Sequence, residues 1–189
     1  MFPRQGEWTE EQYLQYEFDG LVECVDGVLE FLPMPTFLHQ ILVAYLYKCL
    51  DRFVGERTPP EVFFSPIHVR TTEGSIREPD VAYIRAARLS DLRKPSAGAD
   101  LVMEVVSGSP RDRDRDYLDK RSEYASAGIP EYWIVDPETG TITVLKLVDN
   151  HYRVHGEFKP GSIATSVLLP GFEVNVLDAF AAAMKQSAK

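Results

Sequence analysis

Two acidic side chains lie inside segments that otherwise have the composition of β-strands. Asp80 follows Pro79 at the start of an apolar stretch, and Glu104 lies between Met103 and Val105. A carboxylate between apolar residues is costly to bury without a partner or a metal ion. Asp80 taken alone is better explained as an acid at a strand end. If the two strands are neighbours, however, both carboxylates can reach one Mg²⁺, which prefers oxygen ligands.

Lys120 and His39 are further candidates for the same site. On a helix, Tyr117 and Tyr124 stand three residues before and four residues after Lys120, so the three side chains share a face. A lysine on such a face either points into a site or extends its ammonium to solvent, and the second is the commoner outcome. His39 lies beside the apolar stripe of an earlier predicted helix. A histidine there either joins a site or packs through a hydrogen bond.

The elements that must position these residues predict an α/β chain. Apolar spacing of three and four indicates helices over 36–54 and from Asp112 or Asp114 to about 127. Short apolar runs between turn residues indicate strands over 21–25, 28–32, 62–70, 76–85, 101–106 and 131–135. A hairpin over 141–147 and 152–158 follows. Because a crossover helix separates two strands after an antiparallel pair, we expect an α/β (α+β) fold with a central mixed β-sheet flanked by helices.

Composition limits the classes of protein to which the chain can belong. Its 189 residues, 44% hydrophobic and 26% charged, fit one globular domain. The net charge of −9 argues against a protein whose main task is to coat nucleic acid, because phosphate binding needs a basic surface. Cys24 and Cys49 form no metal-binding pair, no export signal is recognisable, and the longest apolar run, 41–47, is too short to span a bilayer. We therefore expect a cytoplasmic protein without membrane association.

Several short motifs together resemble those of the Uma-two family of bacterial proteins. The most specific is the run 128–137, GIPEYWIVDP, preceded by Lys120 and Tyr124. Pro79-Asp80, the run 104–107 (EVVS) and the run 23–27 (ECVDG) followed by His39 match as well. The family is assigned to the PD-(D/E)XK nuclease superfamily, and its members are often described as restriction endonuclease-like.

The resemblance also implies a domain organisation. It extends over about 21–147, where it implies a restriction endonuclease-like core of helix, three strands, helix and strand. We expect this core to belong to a single domain over 1–189, in which residues from about 148 to 189 form a C-terminal β extension with an added hairpin.

The resemblance implies a role for each candidate residue. Asp80 and Glu104 would bind Mg²⁺ or Mn²⁺, which would polarise a phosphodiester and activate an attacking water. The superfamily motif has a lysine two residues after the second acid, where this chain has Val106. Lys120 would then supply the positive charge from the following helix. His39 would meet the metal or a phosphate.

Three functions are compatible with these residues. The first is a Mg²⁺-dependent DNA endonuclease, expected to be a homodimer because many nucleases of this superfamily cut two strands as dimers. The second, favoured by Val106 and the negative net charge, is a non-catalytic nucleic-acid-binding or regulatory module that retains the nuclease fold. The third is a metal-dependent hydrolase of a smaller phosphate ester.

Two charged segments bear on DNA binding. If DNA binds, the net basic cluster formed by Arg85, Arg88, Arg93 and Lys94 is the first docking surface to consider. The alternating stretch 111–116, RDRDRD, is expected to be the solvated, self-paired start of a helix.

Overall fold

The structure, a computed structural model, describes residues 2–56 and 61–184, with residue 184 described by its backbone only. Residues 1, 57–60 and 185–189 lie outside the described part, so the last residues of the predicted C-terminal extension are not covered. The helices are α1 (Glu10–Gln15), α2 (Phe37–Val54), α3 (Pro110–Asp114), α4 (Lys120–Ser126) and α5 (Val176–Met184). No helix among the described residues is long and apolar enough to cross a bilayer.

The strands form one large sheet and two smaller ones. They are β1 (Val22–Val25), β2 (Val28–Phe31), β3 (Val62–Phe64), β4 (Val69–Arg70), β5 (Ile76–Arg77), β6 (Val81–Tyr83), β7 (Leu101–Val105), β8 (Glu131–Asp136), β9 (Thr141–Val148), β10 (His151–Phe158), β11 (Ile163–Thr165) and β12 (Glu173–Asn175). The large sheet has the order β10-β9-β8-β7-β6-β3, a four-stranded sheet has the order β2-β1-β5-β4, and β11 pairs with β12. Only β7 and β8 in the large sheet run parallel. The predicted central mixed sheet flanked by helices is confirmed.

Both faces of the large sheet are covered, and β7 shows how. Leu101, Met103 and Val105 point to one face, where they pack with buried residues of α2 and α5. Val102 and Val106 point to the other face, together with buried residues of α4. This alternation follows from the two-residue period of a strand, and it places Glu104 on the α4 face. The predicted hairpin β9–β10 extends the large sheet beyond β8.

The predicted strands over 62–70 and 76–85 are wrong, because each is interrupted. Their outer parts, β3 and β6, pair in the large sheet, whereas their inner parts, β4 and β5, pair in the four-stranded sheet. Pro66 and Pro79 lie in the two interruptions, and proline cannot donate a hydrogen bond to a neighbouring strand. The chain therefore passes between the two sheets at 78–80, directly before β6.

The helix predicted to open at Asp112 or Asp114 begins earlier. Ser109 is its N-cap, accepting a hydrogen bond from the backbone N–H of Asp112, and Pro110 occupies the first helical turn. Between α3 and α4 the chain forms one π-helical turn over Arg115–Asp119. Such a turn inserts an extra residue and rotates the following helix, so it determines which side chains of α4 face the sheet.

A buried carboxylate attaches the C-terminal segment to the large sheet. Glu131 on β8 is fully buried. One of its oxygens accepts a hydrogen bond from Trp133 Nε1 at 2.7 Å, and the other accepts from the backbone N–H groups of Val167 and Leu168, both at 2.7 Å. Three donors therefore depend on one side chain, and two of them belong to a segment more than thirty residues away in sequence.

We expect Glu131→Gln to destabilise the protein by roughly 2–4 kcal/mol, because the amide NH₂ cannot accept from the donors that the second carboxylate oxygen now satisfies. Urea denaturation followed by tryptophan fluorescence measures the change. Glu157→Gln on β10, an exposed position, is the matched control and should change stability by less than about 0.5 kcal/mol. Equal stability of the two variants would contradict this account.

Asp136, at the end of β8, makes the stability of the protein depend on pH in the acid range. Arg113 binds both of its oxygens, at 2.7 and 3.1 Å, and Tyr117 donates to it at 3.0 Å. Although burial opposes ionisation, these donors and Thr139 lower the pKa of Asp136 to about 2. A lowered folded-state pKa stabilises the protein above the unfolded pKa of about 4, and this stabilisation is lost as pH falls through 4 towards 2.

Asp136→Asn should therefore cost about 2 kcal/mol at pH 7, and the difference from wild type should shrink as pH falls from 4 to 2. Denaturation curves of the two proteins at several pH values test this. A difference that stays constant down to pH 2 would show that ionisation of Asp136 does not contribute.

Candidate active site

Asp80 and Glu104 face each other across two antiparallel strands. The register pairs Val81 with Met103, and one further step places Asp80 opposite Glu104. Glu104 is buried, and Asp80, just outside β6, is partly exposed. The backbone N–H of Val105 donates to Asp80 Oδ2 at 2.8 Å, which fixes the position of that carboxylate. The two acids singled out in the sequence are thus neighbours at one end of the β6–β7 pair.

Glu104 is surrounded by donors and by other acids. Tyr124 donates its hydroxyl to Glu104 Oε1 at 2.6 Å, and Lys120 Nζ lies 2.9 Å from the same oxygen. Burial raises the pKa of Glu104 to about 8; the charge of Lys120 opposes this rise, and the charge of Asp80 adds to it. A bound cation would favour the ionised form, so the surroundings of Glu104 suit a site that holds positive charge.

Lys120 points into this site. Its side chain is 3% exposed, so the solvent-facing alternative is wrong. Its ammonium lies 2.9 Å from Glu104, 3.4 Å from Glu23 and 3.9 Å from Asp116. Burial opposes its charge, but these carboxylates outweigh burial and raise the pKa of Lys120 above its ordinary value. Lys120 makes no ion pair with Asp80, so among the described residues the ammonium is shared by three other acids.

His39 reaches the site from the first turn of α2. Thr36 caps that helix by accepting a hydrogen bond from the backbone N–H of His39, and His39 Nε2 lies 3.1 Å from Asp80 Oδ2. Burial opposes protonation of the ring, but the hydrogen bond to Asp80 raises the pKa of His39. Its Nδ1 is buried and has no hydrogen-bond partner among the described residues.

The sequence prediction missed two acids of the site. Glu23 on β1 is fully buried, and although burial opposes ionisation, Lys120 and Arg77 lower its pKa to about 2. Burial raises the pKa of Asp116, on the π-helical turn, to about 6, against the attraction of Lys120 and Arg115. The spacing of Asp116 and Lys120, one helical turn apart, could have indicated a shared inward face.

The stretch 111–116 is self-paired, as predicted, because Arg115 contacts both Asp112 and Asp116, but the prediction that it is solvated is wrong for its inward side. Asp112 and Asp116 are buried, and Arg115 binds Asp112 at 2.9 Å beside the site. Arg113 is bound by Asp136 and Glu138. The inward-facing acids are thus paired with buried or half-buried cations, because the π-helical turn directs this side of the helix towards the sheet.

The basic cluster predicted as a docking surface lies at the other end of β6. Arg85 and Arg88 bind Asp100. The backbone N–H of Asp100 donates to the carbonyl of Tyr83, the last residue of β6, so these groups lie at the end of β6 opposite to Asp80. Arg93 binds Asp91. Much of the positive charge in this cluster is therefore neutralised within the chain and distant from Asp80.

A small cavity connects the candidate residues. Its volume is about 40 Å³, and its lining includes His39, Glu78, Asp80, Glu104, Arg115, Asp116 and Lys120. A wider groove of about 380 Å³ adjoins it and shares Pro33, His39 and Ser107 with it. The cavity accepts an ion with a few waters, and the groove is wide enough for part of a larger substrate.

Asp80 and Glu104 can supply oxygen ligands for Mg²⁺ or Mn²⁺. Val105 N–H and His39 contact Oδ2 of Asp80, and Tyr124 and the ammonium of Lys120 contact Oε1 of Glu104. No group of three or more His, Cys, Asp or Glu side chains in the described part of the chain is arranged to hold a metal. Mg²⁺ needs only one or two carboxylates because it retains waters and binds substrate phosphate, so two acids suffice.

Val106 occupies the position where the superfamily motif has its lysine. It is buried among apolar residues on the α4 face of the large sheet, two residues beyond Glu104 on the same strand face. The positive charge near Glu104 comes instead from Lys120, at the start of α4.

Comparisons with known proteins identify the fold and the family. The crystal structure titled "a putative nuclease belonging to DUF820", from Anabaena variabilis, superposes with a TM-score of 0.71 at 16% sequence identity, covering 93% of this chain and 99% of that chain. No curated protein matches the chain significantly. The model of the Uma2 family, described as "putative restriction endonuclease", matches residues 10–178, and the chain therefore belongs to that family.

Proposed function

We propose that this protein is a divalent-metal-dependent nuclease that hydrolyses phosphodiester bonds in DNA. The observation that carries the proposal is the position of Lys120 Nζ, 2.9 Å from Glu104 in a cavity that Asp80 also lines. Two acids and an ammonium are the groups needed to hold a metal and to stabilise a negatively charged phosphoryl transition state. Membership of a family described as restriction endonuclease-like favours the same reaction.

Asp80 and Glu104 are the residues that would hold Mg²⁺ or Mn²⁺. Such an ion, when bound, polarises a phosphoryl oxygen and lowers the pKa of a bound water. Val105 keeps Asp80 in place through its backbone N–H, and Tyr124 keeps Glu104 in place through its hydroxyl. Each of these two hydrogen bonds is accepted by one oxygen of its acid, Oδ2 of Asp80 and Oε1 of Glu104.

Lys120 and His39 act on either side of this pair. The Lys120 ammonium is charged, buried and preorganised, so it stabilises negative charge that develops on a phosphate without having to reorganise first. His39 donates or shares a proton with Asp80 through Nε2, which orients the acid, and its raised pKa favours the cationic ring beside a phosphate.

One observation favours a second function. The net charge of −9 disfavours binding to a DNA duplex, and the internal pairing of Arg85, Arg88 and Arg93 reduces the positive charge that the predicted docking cluster can offer. A non-catalytic binding or regulatory module that retains the nuclease fold would tolerate this charge. The expected homodimer stays a prediction. The β9–β10 hairpin that could build it extends the large sheet, and β10 is an edge strand of that sheet.

A cleavage assay separates the two functions. Purified protein with plasmid or single-stranded DNA and Mg²⁺ or Mn²⁺ should nick or cut the substrate. Asp80→Asn should abolish cleavage, because it removes a ligand of the metal, and Lys120→Met should reduce the rate about 100-fold or more, because it removes positive charge beside the phosphate. Asp119→Asn, an exposed neighbour of Lys120, is the matched control and should cut like wild type.

Cleavage that persists equally in the Asp80 and Lys120 variants would come from a contaminant and would refute the nuclease assignment. Wild-type protein that binds metal and DNA but does not cut would establish the second function.

Metal binding has a readout that does not depend on cleavage. Mn²⁺ at about 100 times its dissociation constant should stabilise wild-type protein by about 2.7 kcal/mol, because it binds only the folded state. EDTA should reverse the shift in thermal melting, and Asp80→Asn should show little or none. An equal Mn²⁺ shift in wild type and Asp80→Asn would place the ion elsewhere.

A further inference from the structure

Glu23 is a buried acid whose contacts extend from the four-stranded sheet to the candidate site. Its Oε1 lies 3.4 Å from Lys120 Nζ and accepts a hydrogen bond from the backbone N–H of Glu78 at 2.9 Å. Its Oε2 binds Arg77 at 2.7 Å. Glu23 is fully buried, so water does not compensate either partner.

Arg77 holds this acid in place. It is 1% exposed and binds Glu23 on β1, Glu30 on β2 and Glu123 on α4, at 2.6–2.7 Å. A guanidinium offers several donors in a rigid plane, so it can fix three carboxylates at once. The β1–β2 hairpin is thereby attached to the helix that carries Lys120.

We propose that Glu23 is a positioning residue for Lys120, an inference that rests on the proposed function. Lys120 stands between Glu23 and Glu104, 3.4 Å from the first and 2.9 Å from the second, so Glu23 shares the charge of the ammonium and helps to hold it beside Glu104. Because its charge is shared with Glu23, the ammonium offsets less of the charge that Glu104 would present to a metal. The four-stranded sheet belongs to the machinery of the site through this one side chain.

The consequence of removing Glu23 follows from the charges. Without it, the ammonium is compensated mainly by Glu104, because Asp116 is farther away at 3.9 Å. The net positive charge near the metal position then rises by one unit in a buried setting, where charges are weakly screened. Binding of a divalent cation should weaken, although Glu23 itself need not touch the cation.

Glu30 provides a matched control. It binds the same guanidinium nitrogen of Arg77, at the same distance of 2.7 Å, but it is 28% exposed and makes no ion pair with Lys120. Each substitution removes the charge of one carboxylate from the same nitrogen of Arg77, but only Glu23 also contacts Lys120. Glu23 further accepts from the backbone N–H of Glu78, and a glutamine side chain keeps an oxygen that can accept from that N–H.

The test measures Mn²⁺ affinity of the full-length protein by titration calorimetry, with thermal melting of each variant in EDTA. Glu23→Gln should weaken Mn²⁺ binding about tenfold or more, and Glu30→Gln should change it less than about twofold. Glu23→Asp and Glu30→Asp keep the charge but withdraw it by one methylene. If Glu23→Gln does not fold, these two aspartate variants are compared instead. Glu23→Asp should then bind Mn²⁺ about threefold more weakly than wild type.

The outcomes separate this inference from the proposed function. Failure of wild-type protein to bind Mn²⁺ would overturn the proposed function. Wild-type binding with unchanged affinity in the Glu23 variants, or with equal losses in the Glu23 and Glu30 variants, would overturn the positioning role alone. Weaker binding confined to the Glu23 variants would establish it.

Discussion

The buried ammonium of Lys120 constrains the arrangement of everything around it. A charge without water is costly unless carboxylates surround it, and each of its three acids comes from a different element: Glu23 from β1, Glu104 from β7 and Asp116 from the π-helical turn. Breaking one such pair leaves the others partly uncompensated. Folding of the two sheets and of the helix is therefore coupled, since only their joint assembly neutralises Lys120.

The passage of the chain between the sheets explains why the acids meet at one point. Ile76–Arg77 pairs with β1, the next residues cross to the large sheet, and Val81–Tyr83 pairs with β7. Asp80 lies at the end of this crossing, opposite Glu104, while Arg77 lies at its beginning and binds Glu23. A continuous strand over 76–85 would have kept these residues in one sheet and separated Arg77 from Glu23.

The sequence allowed the fold and part of the site to be predicted, and the reason is local in each case. Glu104 stands out because an acid inside an apolar run is unusual, and Lys120 because two tyrosines share its helical face. Glu23 also lies in an apolar run, but its place in the site depends on its ion pair with Arg77, more than fifty residues away. The periodicity of the sequence does not predict a pairing over that separation. The interrupted strands were missed because the exchange of sheets depends on tertiary pairing, with Pro66 and Pro79 as the only local signals.

In the proposed function the lysine lies on a helix rather than on the strand of Glu104, and this changes what determines its position. A lysine in place of Val106 would be fixed by the same strand as Glu104, whereas Lys120 depends on the register of a helix that begins after a π-helical turn. Helices can rotate relative to a sheet, so a further contact has to fix that register. Arg77 binds Glu123 on the same helix and Glu23 beside Lys120, and it thus connects both the helix and the ammonium to the four-stranded sheet. The four-stranded sheet supplies the restraint that a lysine on the same strand as Glu104 would not need.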